Sequence, residues 1–220
     1  MKIDSFIKRL NATEIGAGVT NDTYIAIPKE VDLSGVLHNK KAMTLYDCKF
    51  GKLYTPENSN IQYVQTGQNG QERISGLGQY FRKCNASVGD EVLIEKITEG
   101  DKEKLFLDFN KRDVIVFQKN SNWVELLTKN SLDEFENDYD YVLKVVYKGS
   151  VKELVIKKTG LKKKKVTSPV FTTAYDLLIS DKSILSEFGY LEYIEIAKKD
   201  DVLMMNKMKT YILSKIESFD

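Results

Sequence analysis

Hydrophobic and polar residues alternate most clearly between residues 60 and 97, and the period of the pattern changes twice there. Ile61, Tyr63 and Val64 sit among polar neighbours, which predicts a strand with one wet face. Asn69-Gly70 is a hairpin signal, because both central positions of a tight primed turn need positive φ. The returning strand places Asn69, Gln71 and Arg73 on one face at period two, with Glu72 and Ile74 on the other. Leu77, Tyr80, Phe81 and Cys84 then recur at helical spacing and predict a short helix. Val88-Gly89-Asp90 predicts a turn, and Val92-Leu93-Ile94 opens another strand. A polar hairpin tip carrying amides and one guanidinium, braced in this way, suits recognition more than catalysis.

On either side the pattern is plainer. Ile3 to Leu10 mixes apolar and basic side chains and fits a helix or a first strand. Residues 11–22 are small, polar, glycine-rich and aperiodic, which predicts a long loop, either a functional arm or a plain linker. Tyr24 to Ile27 closes it as a strand that stops at Pro28. One helical turn fits within residues 29–39, a strand within 42–49, a loop around Pro56, and two strands within 104–109 and 113–118. Up to about residue 120 the chain is therefore strand-rich, as in a barrel or sandwich. Beyond it, 141–147 and 152–157 predict a second hairpin, six lysines crowd into 157–165, and 174–179, 184–188 and 202–216 read as helices. The expected organisation is mainly β: a barrel-like domain over 1–120 and an α+β extension over 121–220.

Composition narrows the functional classes only a little. A chain of 220 residues, 42% hydrophobic and 30% charged, is an ordinary globular protein of one large or two small domains. A net charge of +1 argues neither for nor against nucleic acid, so any such binding must come from local placement of charge. Arginine is scarce: Arg9, Arg73, Arg82 and Arg112 are the four, leaving 33 minus 4, or 29, lysines. A retained arginine in such a chain points towards a need for its planar fork. Cys48 and Cys84 make no disulfide framework, and no signal peptide or membrane-length apolar run is present, so a cytoplasmic protein without a membrane partner is expected. The single histidine, His38, removes histidine-rich zinc patterns and histidine-based triads.

Cofactor motifs are equally sparse. Gly160-Leu-Lys-Lys lacks the spacing of a phosphate-binding loop, Gly76-Leu-Gly and Gly16-Ala-Gly lack a third glycine, and no nucleophile elbow occurs. No cofactor is expected, and no catalysis in this chain. Asp47-Cys48-Lys49 with Asp32 upstream matches a minimal Mg²⁺ nuclease pattern, a pattern that charged chains produce by chance. The lysine run neutralises phosphates or, the favoured reading, is a solvated loop between two strands. Arg73 has the geometry to fork onto guanine O6 and N7, and Gln71 or Asn69 to pair with adenine N6 and N7. The bland alternative is a surface arginine paired with Glu72 or Glu91.

Two segments carry a resemblance. Ile7-Lys-Arg-Leu-Asn-Ala-Thr-Glu-Ile-Gly-Ala-Gly, followed by Thr23-Tyr-Ile-Ala-Ile-Pro, resembles the opening of the effector DNA-binding domain of the EcoRII restriction endonuclease family. Gln71-Glu-Arg-Ile-Ser-Gly-Leu-Gly resembles that family's second arm, and Phe81 to Ile94 is similar to the plant B-three DNA-binding domain, which shares its pseudo-barrel. The similarity covers roughly residues 5–118. It implies a seven-stranded pseudo-barrel whose two arms grip the major groove of double-stranded DNA. The first arm would offer Lys8, Asn11, Glu14, Gly16, Thr20 and Asn21; the second, Gln68, Asn69, Gln71 and Arg73. Lys40, Lys41, Lys49, Lys52 and Lys83 would contact phosphates. The second arm departs from the EcoRII pattern by its amides and glycines, and Leu77 replaces a tryptophan, which implies a different target site.

Residues beyond 120 do not resemble the EcoRII catalytic domain. This kind of domain also stands at the N-terminus of McrB-like restriction proteins of the LlaJI type, ahead of a nucleotide-driven motor. The resemblance thus implies a recognition module of a bacterial restriction system, with a motor domain and a nuclease subunit as partners. The alternatives are a small Mg²⁺-dependent nuclease using Asp32, Asp47 and Lys49, and a β-barrel protein-interaction domain.

Overall fold

The computed structural model describes residues 1–16, 23–37, 42–55, 61–66, 71–128, 140–164 and 171–217. The early strands are β1 (Lys2–Arg9), β2 (Ile25–Ile27), β3 (Ala42–Met43), β4 (Leu45–Asp47) and β5 (Lys52–Tyr54). The hairpin β6 (Ile61–Thr66) and β7 (Gln71–Ser75) leads into α1 (Gly78–Lys83), then β8 (Glu91–Glu99) and β9 (Lys102–Asn110). Next come β10 (Val114–Lys119), β11 (Val124–Leu126), β12 (Tyr141–Tyr147), β13 (Ser150–Lys164), β14 (Phe171–Ile179) and β15 (Lys182–Ser183). A 3₁₀ turn at Leu185–Glu187 precedes β16 (Tyr193–Lys199), β17 (Val202–Lys207) and β18 (Tyr211–Glu217). The protein is mainly β, as the strand-rich pattern predicts.

Two compact units divide the chain: Met1–Lys111 with Lys209–Asp220, and Arg112–Met208. The first contains a six-stranded sheet, β18-β1-β8-β9-β4-β5, and a four-stranded sheet, β2-β7-β6-β3. Every second residue faces inward, so Phe6 of β1, Val92 and Ile94 of β8, and Leu107 and Phe109 of β9 meet Ile25, Ile27, Ile61, Tyr63 and Ile74 of the smaller sheet in one core. The predicted helix is there, and it sets Leu77, Tyr80, Phe81 and Cys84 into that core. Tyr80 is the centre of an aromatic cluster, edge-on to Tyr54, Phe50 and Phe109 at 5.3 to 6.3 Å.

In the second unit, β11-β10-β16-β17-β12-β13-β14 runs in order and returns from β14 to β11 at Tyr175 opposite Val124. This is a closed barrel of seven strands, which leaves no open edge around the ring. Phe117, Val124, Val145, Leu154, Ile156, Leu177, Ile194, Ile196 and Met205 fill it.

Three expectations change. The closed seven-stranded barrel lies in the second unit, while the first is a pair of sheets. The second unit is also no α+β extension: 174–179 belongs to β14, 184–188 holds only the 3₁₀ turn, and 202–216 is two strands, β17 and β18. Short apolar runs fit either period, and the decisive punctuation was in the turns. Ser180 and Asp181, and Asp200 and Asp201, hold positive φ and make tight hairpin turns without an Asn-Gly signal. Finally, the division falls at 111/112 and again at 208/209, so the second unit is an insertion and β18 returns to pair with β1.

The order β9-β8-β1-β18 sets the two ends of the insertion three strand spacings apart in the first unit, about 14 Å. A chain in which about six glycine and serine residues replace 112–208 therefore spans the gap and unfolds cooperatively. A chain cut at residue 120 lacks β18 and melts at a lower temperature. Thermal unfolding of both chains checks this, and equal melting would show β18 to be dispensable.

Candidate nucleic-acid interface

The first arm is pinned at its base by one carboxylate. Inward-facing positions of β1 include Lys8, and the chain then makes a single turn in which Asn11 N–H donates to Glu14 Oε2 (2.9 Å) and Glu14 N–H donates to Asn11 Oδ1 (3.1 Å). This reciprocal pairing has the logic of a capping box. Glu14 Oε1 also accepts from the backbone N–H of Ala26 in β2 (3.2 Å) and from Lys8 Nζ (3.1 Å). Strand, turn and returning strand thus meet on one side chain. Lys8 and Glu14 are almost wholly buried, at 2% and 1% exposure. Burial pushes the Glu14 carboxyl above its ordinary value of 4.5, against the opposing pull of Lys8.

Lys8 and Glu14, expected among the DNA contacts of this arm, are buried braces of its root, and the half-buried Asn11 bonds into the same turn. Gly16 follows at φ +75°, a conformation glycine enters without a Cβ clash. Thr20 and Asn21 lie outside the described residues.

The second arm is the β6–β7 hairpin, in register from Gln62 opposite Ser75 to Thr66 opposite Gln71. Gln68 and Asn69 lie outside the described residues, and Gln71 is the first ladder position of β7. Alternation sends Ile74 into the core and Arg73 to the opposite face, between Ala26 of β2 and Val64 of β6. The Arg73 guanidinium lies over the Tyr24 ring, 4.0 Å from its centroid. The residue that ends the first arm thus supports the arginine that begins the return of the second. Glu72 accepts the Tyr63 hydroxyl, and Glu91 takes Arg9 Nε at 3.0 Å.

Beside the arms, an open cleft is lined by Asp47, Lys52, Leu53, Tyr54, Thr55, Gln79, Arg82 and Lys83. Gln79, Arg82 and Lys83 come from the face of α1 opposite its core residues. Lys83 Nζ lies 3.6 Å from the Phe50 ring centroid, and Lys49, in the turn after β4, reaches to 5.4 Å from that of Phe109. Helix and arms are locked together: the Tyr54 hydroxyl donates to Gly76 O (3.0 Å), and a Cβ at Gly78 would lie 1.9 Å from Thr23 Oγ1. Only glycine lets the end of the first arm approach the start of α1 so closely. The pattern of the chain did not single out Arg82 and Gln79; the polar stripe at 79, 82 and 83 was the available signal. Lys40 and Lys41 lie outside the described residues, as does His38.

The two carboxylates of the nuclease pattern each have local partners. Asp32 Oδ1 caps Ser34 N–H (2.9 Å) in an exposed turn, and Ser34's hydrogen bonds hold its carboxyl below the usual range. Asp47 is 1% exposed and accepts from Phe50 N–H (3.1 Å) and the Tyr80 hydroxyl (3.4 Å). Burial first, then Asp47, raises the pKa of that tyrosine far above normal. Among the described residues no three His, Cys, Asp or Glu side chains stand where they could share a metal ion, and no helix is long and apolar enough to cross a membrane. No protein-family model matches the chain, and a search of curated proteins finds no significant match.

Lys8→Met strands the Glu14 carboxylate without its cation and costs about 3–5 kcal/mol at neutral pH. Because the carboxyl is already raised, the loss is full above its folded-state pKa and shrinks as acid protonates it towards 4.5. The double variant Lys8→Met/Glu14→Gln, which removes both charges of the pair, recovers part of the loss. Denaturant unfolding across this pH range measures all three, and a pH-independent loss would show that the charge of Glu14 is irrelevant.

Proposed function

We propose that the first unit is a sequence-reading module for double-stranded DNA in a bacterial restriction system, working in the cytoplasm. The observation that carries this reading is the placement of Arg73 on the outward face of β7, steadied by Tyr24, where the roots of both arms converge. A guanidinium held in one orientation loses less freedom when it forks onto a guanine edge. The neighbouring cleft supplies Lys52, Arg82 and Lys83, which suit phosphate contacts that position without reading sequence. Lys49 extends the same cationic surface. The two free thiols accord with a reducing compartment.

In this reading the arm tips, residues 17–22 and 67–70, complete the base contacts, and Gln71 adds one from the ladder. Cleavage and nucleotide-driven motion belong to a nuclease subunit and a motor domain, with no cofactor bound by this chain. The reading of these two segments as arms comes from the resemblance to the EcoRII effector domain.

Selection from random duplex DNA at near-physiological salt tests it, with an enriched motif of several base pairs as the expected result. Arg73→Ala costs about 1–3 kcal/mol and relaxes preference at one base pair. Arg82→Ala weakens binding to all sequences alike and lowers the salt slope by about 1. No enrichment, or an Arg73 variant that loses affinity uniformly, would sink the base-reading role.

A further inference from the structure

We propose that the β13–β14 ribbon of the second unit is a separate, sequence-independent contact for the phosphate backbone of duplex DNA. The site belongs to the second unit and does not need the arms of the first to read bases.

The ribbon begins as barrel wall. Leu154 and Ile156 of β13 are buried in the barrel core, and β12 covers that part of the strand as far as Tyr141 opposite Ile156. On the other side, β11 meets β14 at Tyr175. Beyond Lys158 the ladder has two strands only among the described residues. The departure is marked by an irregularity between Lys158 and Lys162, with Gly160 at φ +72° and the Thr159 hydroxyl donating to Ala174 O (3.0 Å). Past it, Lys162, Lys163 and Lys164 occupy consecutive positions opposite Thr173, Thr172 and Phe171. Leu161 and Phe171 are 53% and 60% exposed, so these apolar side chains do not anchor this end in a core.

Charge is concentrated here to a degree the chain total hides. Residues 157–175 contain six lysines and no aspartate or glutamate, a local charge of +6. The chain carries +1, so the remaining 201 residues carry +1 minus +6, or −5. A protein that is otherwise acidic carries its surplus cations in this one stretch, five of the six at strand positions of β13, with Asp176 opposite Lys157 at the barrel end.

A nucleic acid fits better than other polyanions. A two-stranded ribbon is of the width the major groove admits, and Thr172 and Thr173 add hydroxyl donors for phosphate oxygens. The cations are all lysines, point charges suited to phosphates, whereas the second unit contains one arginine, Arg112, committed to Glu195 of β16 at 2.9 Å. The ribbon therefore binds backbone and reads no bases.

The test uses the full chain, a fluorescent duplex of random sequence, and anisotropy over a range of NaCl concentrations. In K162Q/K163Q/K164Q/K165Q binding weakens, and the slope of log affinity against log salt falls by about 0.9 per lost phosphate contact, about 2–4 in all. Arg73→Ala keeps the wild-type slope to within about 1, so failure of the ribbon and failure of the arms give different results. Should the quadruple variant melt early, Lys162→Gln at its exposed position carries the test with a slope change of about 0.9. Unchanged affinity and slope would overturn the proposal. So would a quadruple variant that keeps DNA binding while losing attachment to phosphatidylserine vesicles, which would make the ribbon a membrane element.

Discussion

The first unit depends on Glu14, a carboxylate with almost no access to water. It takes a backbone hydrogen bond from its own turn, another from β2 and an ion pair from β1, so three segments that no helix or sheet ladder joins directly are fixed to one another. Taking a carboxylate and an ammonium out of water is costly, and the raised pKa of Glu14 shows that Lys8 does not fully offset that cost. What the arrangement gives in return is a defined root. A loop whose two ends are fixed can vary at its tip without disturbing the core beneath, which is the demand made of a recognition loop on a rigid scaffold.

Much of the first unit was legible in the sequence because its local signals agreed with one another. Leu77, Tyr80, Phe81 and Cys84 could share only a helical face, and Ile61, Tyr63 and Ile74 could share only the buried face of a hairpin. Strand β1 was ambiguous for a physical reason: Asp4 and Lys8 sit at inward positions, so charge appears where the alternation calls for apolar residues. Arg73 was legible as an outward residue by counting along β7. Lys8 and Glu14 were misread because burial by distant segments leaves no mark on the neighbouring letters. Arg82 was missed because its partners in the cleft, Lys52 and Tyr54, lie some thirty positions away.

The second unit hid its nature more thoroughly. Two of its turns use Ser-Asp and Asp-Asp, and runs such as Val202-Leu-Met-Met satisfy a helical period as well as an extended one. Closure of the barrel, through a single ladder position between Val124 and Tyr175, is a tertiary fact with no local signature. The lysine run was visible at once, yet its place changed with context: a solvated loop was the favoured reading, whereas residues 157–164 are strand positions of β13.

The return of β18 to β1 also orders events during synthesis. Lys8 stands opposite Tyr211, so this pairing joins residues two hundred positions apart, a long-range contact that forms late. By the time β18 leaves the ribosome, the whole inserted barrel has already been made and is free to fold. The unit that starts first is thus completed last, and the outer edge of β1 remains an unpaired template in the interval. A nascent chain stalled in the insertion would present that edge to its neighbours, so the interval in which this edge is open to wrong association is set by where β18 is encoded.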